Sequence, residues 1–220
     1  MSDVILVRHG QAQTGAEDEA SYDRLSALGE HQARWLGDYL ASVHHGVERI
    51  ISGPMRRQRQ TAAFLSEALS MEVVEDPRLK EINYFALAHS MKDRHALDLP
   101  TDRASFLEHL PQVMRAWKEG RIDNPDEDFA SYEDRVLSAL DDAEAHSGTM
   151  LVTSGGIIAM AVRHVLGLDD NIEAFSHVLL QTNNASYHRY QVEFGKRRLV
   201  TLNATPHLDV PGREASKTFI

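Results

Sequence analysis

The chain has 220 residues, with 23 Lys and Arg against 33 Asp and Glu for a net charge of −10, no cysteine, and 42% hydrophobic residues. That length supports one large domain or two small ones with a well-buried core, and the absence of thiols excludes disulfides, thiolate metal sites and a cysteine nucleophile. The acidic balance argues against nucleic acid or an anionic membrane surface as partner, because both demand a basic footprint.

Residues 3–8 form a short aliphatic run, expected as a strand buried on both faces. Asp3 stands before it and only Val4 to Val7 are apolar, which is too short for a signal-peptide core. No stretch approaches the roughly 20 apolar residues of a membrane helix, so the expected location is the cytoplasm. Ser26 marks a helix start, with Ala33, Leu36, Leu40 and Val43 along one face. Residues 47–51 are a second strand candidate. Pro54 suits the first turn of a helix running to about Leu69, with Ala62, Leu65 and Leu69 inward. Residues 71–74 read as a third strand. The stretch 83–128 is more polar, carries Pro100, Pro111 and Pro125, and holds one good helix at 104–118. It is expected as a lid-like insertion laid over the core.

Ser131 with Asp134 predicts a helix over 132–145, whose Val136, Leu137 and Leu140 face the core. Residues 149–153 are a fourth strand, running through Gly155 and Gly156 into a helix to Val165. Residues 185–194 alternate polar and apolar, then turn at Gly195-Lys196 into 199–202, which predicts a hairpin on the sheet edge. The residues from Asp209 onward look like a loose tail. Strands alternating with helices predict a three-layer α/β/α sandwich with a mostly parallel central sheet and an antiparallel edge hairpin.

Ligands of parallel α/β sheets bind beyond the carboxyl ends of the strands. The first strand closes with Arg8-His9-Gly10-Gln11, and the fourth with Thr153-Ser154-Gly155-Gly156 at a helix start. Glycines there let backbone N–H groups approach an anion, which the helix dipole also favours. After the second strand, Arg56, Arg57 and Arg59 fall within four residues of an acidic chain. Together these signals describe a phosphate pocket.

The combination resembles the histidine phosphatase superfamily, also called the phosphoglycerate mutase-like family. Its R-H-G is matched by Arg8, His9 and Gly10. Its S-P-L-x-R-x-x-x-T-A is matched by residues 53–62, which puts Arg57 at the phosphate-binding position. Its L-x-E is matched by Leu79-Lys80-Glu81, and its closing hairpin by residues 202–208. The resemblance runs from residue 3 to about 208 and implies a single domain over 1–208 with a tail over 209–220. It implies that His9 attacks phosphorus and carries the phosphoryl group, while Arg8 and Arg57 clamp the equatorial oxygens. Glu81 would protonate the leaving oxygen and then activate water. Gly10, Gln11, Ser154 and Gly155 complete the expected phosphate site, with no metal and no cofactor.

One position departs from the pattern. The family's V-S-H-G-G is Val152-Thr153-Ser154-Gly155-Gly156 here, so Ser154 stands where a second histidine is expected. A charge-assisted hydrogen bond is worth roughly 1.5–3 kcal/mol against about 0.5–1.5 for a neutral hydroxyl, on the order of tenfold to a few hundredfold in rate. His177, His188 and His89 are candidates to replace the missing imidazole. The remaining histidines, the His44-His45 pair among them, are expected as surface or structural residues. Ser154 at a strand-to-helix turn also invites an α/β-hydrolase triad with Asp169 and His188 or His207, but Val152 occupies the position where that elbow needs glycine.

The W-N and F-x-G-W segments of glycolytic mutases are absent from residues 12–25. A phosphatase acting on a small phosphorylated substrate or a phosphoprotein is therefore expected ahead of a mutase. The alternative is a phosphate-binding or regulatory member with reduced catalysis. Phe85, Phe106 and Trp117 are candidate substrate contacts from the 83–128 stretch, with Phe106 and Trp117 also at core spacing. The oligomeric state is left open, a homodimer included.

Overall fold

The structure is a computed structural model that describes residues 2–15, 18–43 and 46–219. Its centre is a six-stranded sheet built from β1 (Ser2–Arg8), β2 (Arg49–Ser52), β3 (Val73–Glu75), β4 (Thr149–Thr153), β5 (Tyr187–Glu193) and β6 (Lys196–Ala204), in the order β3-β2-β4-β1-β5-β6. β1, β2, β3 and β4 are parallel, and β5 and β6 continue the sheet as an antiparallel hairpin beside β1. The predicted mixed α/β architecture is the observed one.

Strand alternation divides the core. Ile5 and Val7 point to one face, where they meet Leu36 and Leu40 of α2 (Ala27–Ser42) and Ala62 and Leu65 of α3 (Arg56–Leu69). Val4 and Leu6 point to the other, into a larger cluster with α6 (Phe129–Glu144) and α7 (Gly155–Val165). The four-residue α1 (Glu19–Tyr22) precedes α2. Between β3 and α6 lie a short 3-10 turn, Pro77–Leu79, and two helices, α4 (Tyr84–His95) and α5 (Arg103–Lys118). Helix α8 (Ile172–Gln181) follows α7 and packs with α5 over that same larger cluster. Among the described residues, no helix is long and apolar enough to cross a membrane.

Several expectations are corrected. Helix α6 starts three residues earlier than predicted, because the Asp128 carboxylate, not Ser131, caps it by accepting from the Ser131 N–H at 2.7 Å. Pro54 precedes α3 instead of sitting in its first turn, Leu69 is only half-buried, and Val43 is exposed. Helices α4 and α8 have no counterpart in the sequence expectations. The tail is docked, not loose: Gln32 Nε2 donates to the Ser216 carbonyl at 2.6 Å and to Thr218 Oγ1 at 3.1 Å, and Asn184 N donates to the Thr218 carbonyl at 2.6 Å. His44 and His45 lie outside the described residues.

Candidate active site

The ends of β1, β2 and β4 lie side by side, with Arg8 opposite Thr153 and Ser52 opposite Val152. The chain leaves β1 and β4 toward opposite faces, into α2 on one side and α7 on the other. Adjacent parallel strands that part in this way leave a crevice at their carboxyl ends. His9, the first residue beyond β1, stands in it, tied by its N–H to the Thr153 carbonyl at 2.9 Å.

The His9 ring is 2% exposed and held from both sides. Its Nδ1 donates to the Gly10 carbonyl at 2.7 Å, which leaves the Nε2 lone pair to accept from Arg57 Nε at 3.2 Å. Burial above all, then the Arg57 and Arg8 charges, keep the imidazole well below its ordinary range, with the Gly10 bond pulling weakly the other way. The ring is therefore neutral at pH 7. Gly10 is needed for a backbone approach: a Cβ there would fall 2.2 Å from the Gly29 carbonyl oxygen.

Arg57 enters from the first turn of α3, fully buried. Its Nη1 donates to Glu19 Oε1 at 2.7 Å and to Asp23 Oδ1 at 3.0 Å, and its guanidinium lies 4.9 Å from the centroid of the Tyr22 ring. Burial and the neighbouring Glu81 and Asp23 charges push the Glu19 carboxyl up, against the downward pull of Arg57. Arg8 donates from Nη1 to the Thr182 carbonyl, and its buried Nε has no partner among the described residues. The Glu81 carboxylate is fixed through both oxygens, by Gly156 N–H at 2.9 Å and by Ile82 N–H at 2.8 Å.

Arg8, His9, Arg57, Glu19 and Glu81 line one cavity of about 410 Å³. They form its charged floor at the strand ends. Tyr84 and Phe85 from α4 and Phe106, Leu110 and Met114 from α5 supply an apolar wall of the same cavity. Trp117, in contrast, is a core residue packed edge-on against Phe129 and Tyr132.

Other predicted site residues are placed elsewhere. The Gln11 side chain accepts from Ser26 Oγ at 2.7 Å and does not line the cavity. Ser154 is fully buried, with its hydroxyl accepting from Gln58 Nε2 at 2.8 Å, and it too is off the lining. Gly155 packs against the site rather than lining it, since a Cβ there would meet Leu179 Cδ1 at 2.7 Å and the Arg8 guanidinium carbon at 3.7 Å. Of the three clustered arginines only Arg57 enters, while Arg56 is exposed and Arg59 pairs with Glu75 on the surface.

No candidate histidine joins His9 on the described lining. His89 and His177 are exposed. His188 is buried between Ser186 Oγ and the Asn203 N–H, each at 3.1 Å, and is pushed down to about 3 by burial and by Arg8. The hydrolase triad is likewise unassembled, because Asp169 bonds His164 while Ser154 bonds Gln58. Sequence reasoning missed Glu19, Tyr22, Asp23 and Gln58.

The description "Histidine phosphatase superfamily (branch 1)" matches residues 4–205. "Probable phosphoglycerate mutase GpmB" of Enterobacter sp. (strain 638) is 31% identical over 196 residues, covering 86% of this chain and 84% of that protein. The protein of the same name from Escherichia coli (strain K12 / DH10B) is 30% identical over 222 residues, covering 96% and 97%. Among solved structures, the mycobacterial glucosyl-3-phosphoglycerate phosphatase with inorganic phosphate superposes with a TM-score of 0.66 at 22% identity, over 95% of this chain and all 100% of that one. Phosphoserine phosphatase of Entamoeba histolytica, in complex with 3-phosphoglyceric acid, has a TM-score of 0.65 at 19% identity, over 94% and 100%. On the family match and the full-length relatives together, this chain belongs to the histidine phosphatase superfamily.

Proposed function

We propose that the protein is a phosphomonoester hydrolase working through a phosphohistidine on His9. The observation that carries this reading is the fixed tautomer of His9, with Nδ1 bonded to Gly10 and the Nε2 lone pair directed to Arg57 at 3.2 Å. Nε2 attacks phosphorus in line as the ester P–O bond breaks, and the leaving oxygen takes a proton from Glu81, which enters the cycle as the carboxylic acid and leaves this step as the carboxylate. Arg57, freed from Nε2 as the phosphoryl group arrives, and Arg8 bind the equatorial oxygens and supply the positive charge this transfer needs, so the mechanism calls on no metal ion. Water then gives its proton to Glu81 and attacks phosphorus, releasing inorganic phosphate and neutral His9. The 83–128 segment, through α4 and α5, acts as the roof that selects the alcohol.

The test is turnover of para-nitrophenyl phosphate together with a quench that avoids acid and traps labelled phosphate. Wild type forms a phosphoenzyme and turns over, while His9→Ala loses both, by on the order of 10⁴–10⁶-fold in rate as for other covalent nucleophiles. Full activity in His9→Ala would overturn the mechanism.

A second reading has its own support. Ser154 stands where the sequence resemblance implies a second histidine, its hydroxyl oxygen accepts from Gln58, and no histidine besides His9 is among the described residues lining the cavity. A phosphate-binding or regulatory member with reduced catalysis fits that arrangement. It predicts no turnover by wild type and a gain in Ser154→His.

A further inference from the structure

The cavity combines one strongly charged floor with an uncharged wall, and this contrast constrains the part of the substrate that is not phosphate. The only cations among its described lining residues are Arg8 and Arg57. Both belong to the floor, and Arg57 already carries Glu19 and Asp23 on one nitrogen. Arg103 and Lys217 line a neighbouring cavity beyond Phe106, but Arg103 lies 4.2 Å from the Phe219 ring centroid and Lys217 pairs with Asp209. A second anionic group on the substrate would thus meet no further cation there, only the Glu19 and Glu81 carboxyls, the uncharged polar side chains of Gln13 and Thr14, and hydrocarbon.

The wall is aromatic as well as apolar. Tyr84 meets Phe106 edge-on at 5.4 Å and Phe85 at 6.1 Å, and Phe85 continues to Tyr22 at 6.2 Å. Tyr22 in turn lies against Arg57, so the aromatic cluster begins at the phosphate site itself. The Tyr84 hydroxyl is tied to His109 Nδ1 at 2.9 Å, which leaves its ring, not its polar end, as what it has to offer. A further ring joins such a cluster by the same edge-to-face geometry.

We propose that the substrate is a small phosphate monoester of an aromatic alcohol, with the phosphoryl group as its sole anion. This rests on the phosphatase reading of the same floor and deepens it. It sets the chain apart from catalysts of phosphoglycerate or phosphoserine chemistry, whose substrates carry a carboxylate for which this lining provides no cation.

The experiment compares kcat/KM for 2-phenylethyl phosphate with that for 3-phosphoglycerate and phosphoserine. All three are esters of primary alcohols, so the comparison reads recognition rather than leaving-group strength. The expected preference for the phenylethyl ester is about ten- to a hundredfold, the range set by burying one ring. Phe106→Arg, which replaces part of the wall with a cation, is expected to shrink that ratio at least tenfold. Calorimetric binding of 3-phenylpropylphosphonate against the carboxylated analogue 4-phosphonobutyrate reads the same preference without turnover. Absence of turnover with a retained binding preference defeats the phosphatase reading and leaves the aromatic phosphate standing as the class of ligand the cavity binds. Turnover or binding equal for the two classes, or favouring the carboxylated compounds, overturns the substrate assignment alone.

Discussion

The floor and the wall of the cavity are built by different physics. Each floor group is held by directional bonds: His9 through Gly10 and Arg57, Arg57 through Glu19 and Asp23, Glu81 through two backbone N–H groups. The wall is held by ring contacts and area, with the Tyr84–His109 bond behind it. Polar bonds fix positions to a few tenths of an ångström and suit chemistry, whereas area discriminates among partners by size and polarity. Floor substitutions should therefore slow every ester by a common factor, and wall substitutions should change the ratio between esters. Arg57→Ala is the largest test of this division after His9→Ala, the test of the proposed nucleophile. It is expected to lower kcat/KM by about 10²–10³-fold for aromatic and carboxylated esters alike. It also leaves Glu19 and Asp23 facing each other without their cation. With side-chain exposures of 25% and 21%, the two carboxylates lose less than a fully buried pair, so the expected destabilisation is about 2 kcal/mol, read as a Tm lower by about 4–8 °C. A selective loss for one ester class would break the comparison.

Two adjacent glycines sharpen it. A Cβ on Gly156 would stand 2.3 Å from Glu81 Oε1 and 2.8 Å from Tyr132 Oη, while one on Gly155 would stand 2.7 Å from Leu179 Cδ1. Gly156→Ala thus displaces Glu81, the proposed acid, and Gly155→Ala displaces Leu179, a flexible side chain lining the cavity. The first is expected to reduce kcat about tenfold or more for all esters with their ratio intact. The second is expected to leave kcat within about threefold and to shift KM in proportion to the size of the alcohol, because a leucine tip can turn aside. Steady-state kinetics on both variants with the same pair of esters decides between them.

The same division governs what could be seen in the sequence. β4 falls on the predicted residues and α7 begins at Gly155 as expected, because the apolar run and the glycine pair are local signals. Arg8 and His9 stand out for a related reason, at the end of β1, whereas Arg57 and Glu81 are singled out only through the motifs of the family the sequence resembles. Glu19 and Asp23 are not legible, since their bonds to Arg57 span 38 and 34 positions and no local pattern marks them. Gln58 is hidden in the same way, its bond to Ser154 spanning 96. The wall was half visible, with Phe85 and Phe106 in view while α4 was missed. Only Leu87, Ala88 and Met91 of α4 are buried, a stripe too thin to give a helical period. The tail was misjudged because its order comes from Gln32 and Asn184, far along the chain.

The subtlest expected effect concerns Glu19, the one floor carboxylate that competes with substrate for Arg57. Its carboxyl is pushed up by burial and by the nearby Glu81 and Asp23 charges, so it takes a proton at higher pH than a free glutamate. Below that point the neutral carboxyl loosens its hold on Arg57, leaving Asp23 as the remaining anionic partner, and above it the carboxylate helps hold Arg57 against an incoming anion. Anion affinity in wild type should therefore rise as pH falls toward the raised Glu19 range, whereas His9, held well below its ordinary range, stays neutral and adds no positive charge that would mimic the effect. Sulfate is the suitable probe because its charge is constant across this interval. Competitive inhibition by sulfate is expected to strengthen about two- to fivefold between pH 7.5 and pH 5 in wild type, as expected for loosening one partly exposed ion pair. In Glu19→Gln the inhibition should already be strong at pH 7.5 and change little with acid. A pH dependence that survives in Glu19→Gln would assign it to another group on the floor and detach Glu19 from the control of Arg57.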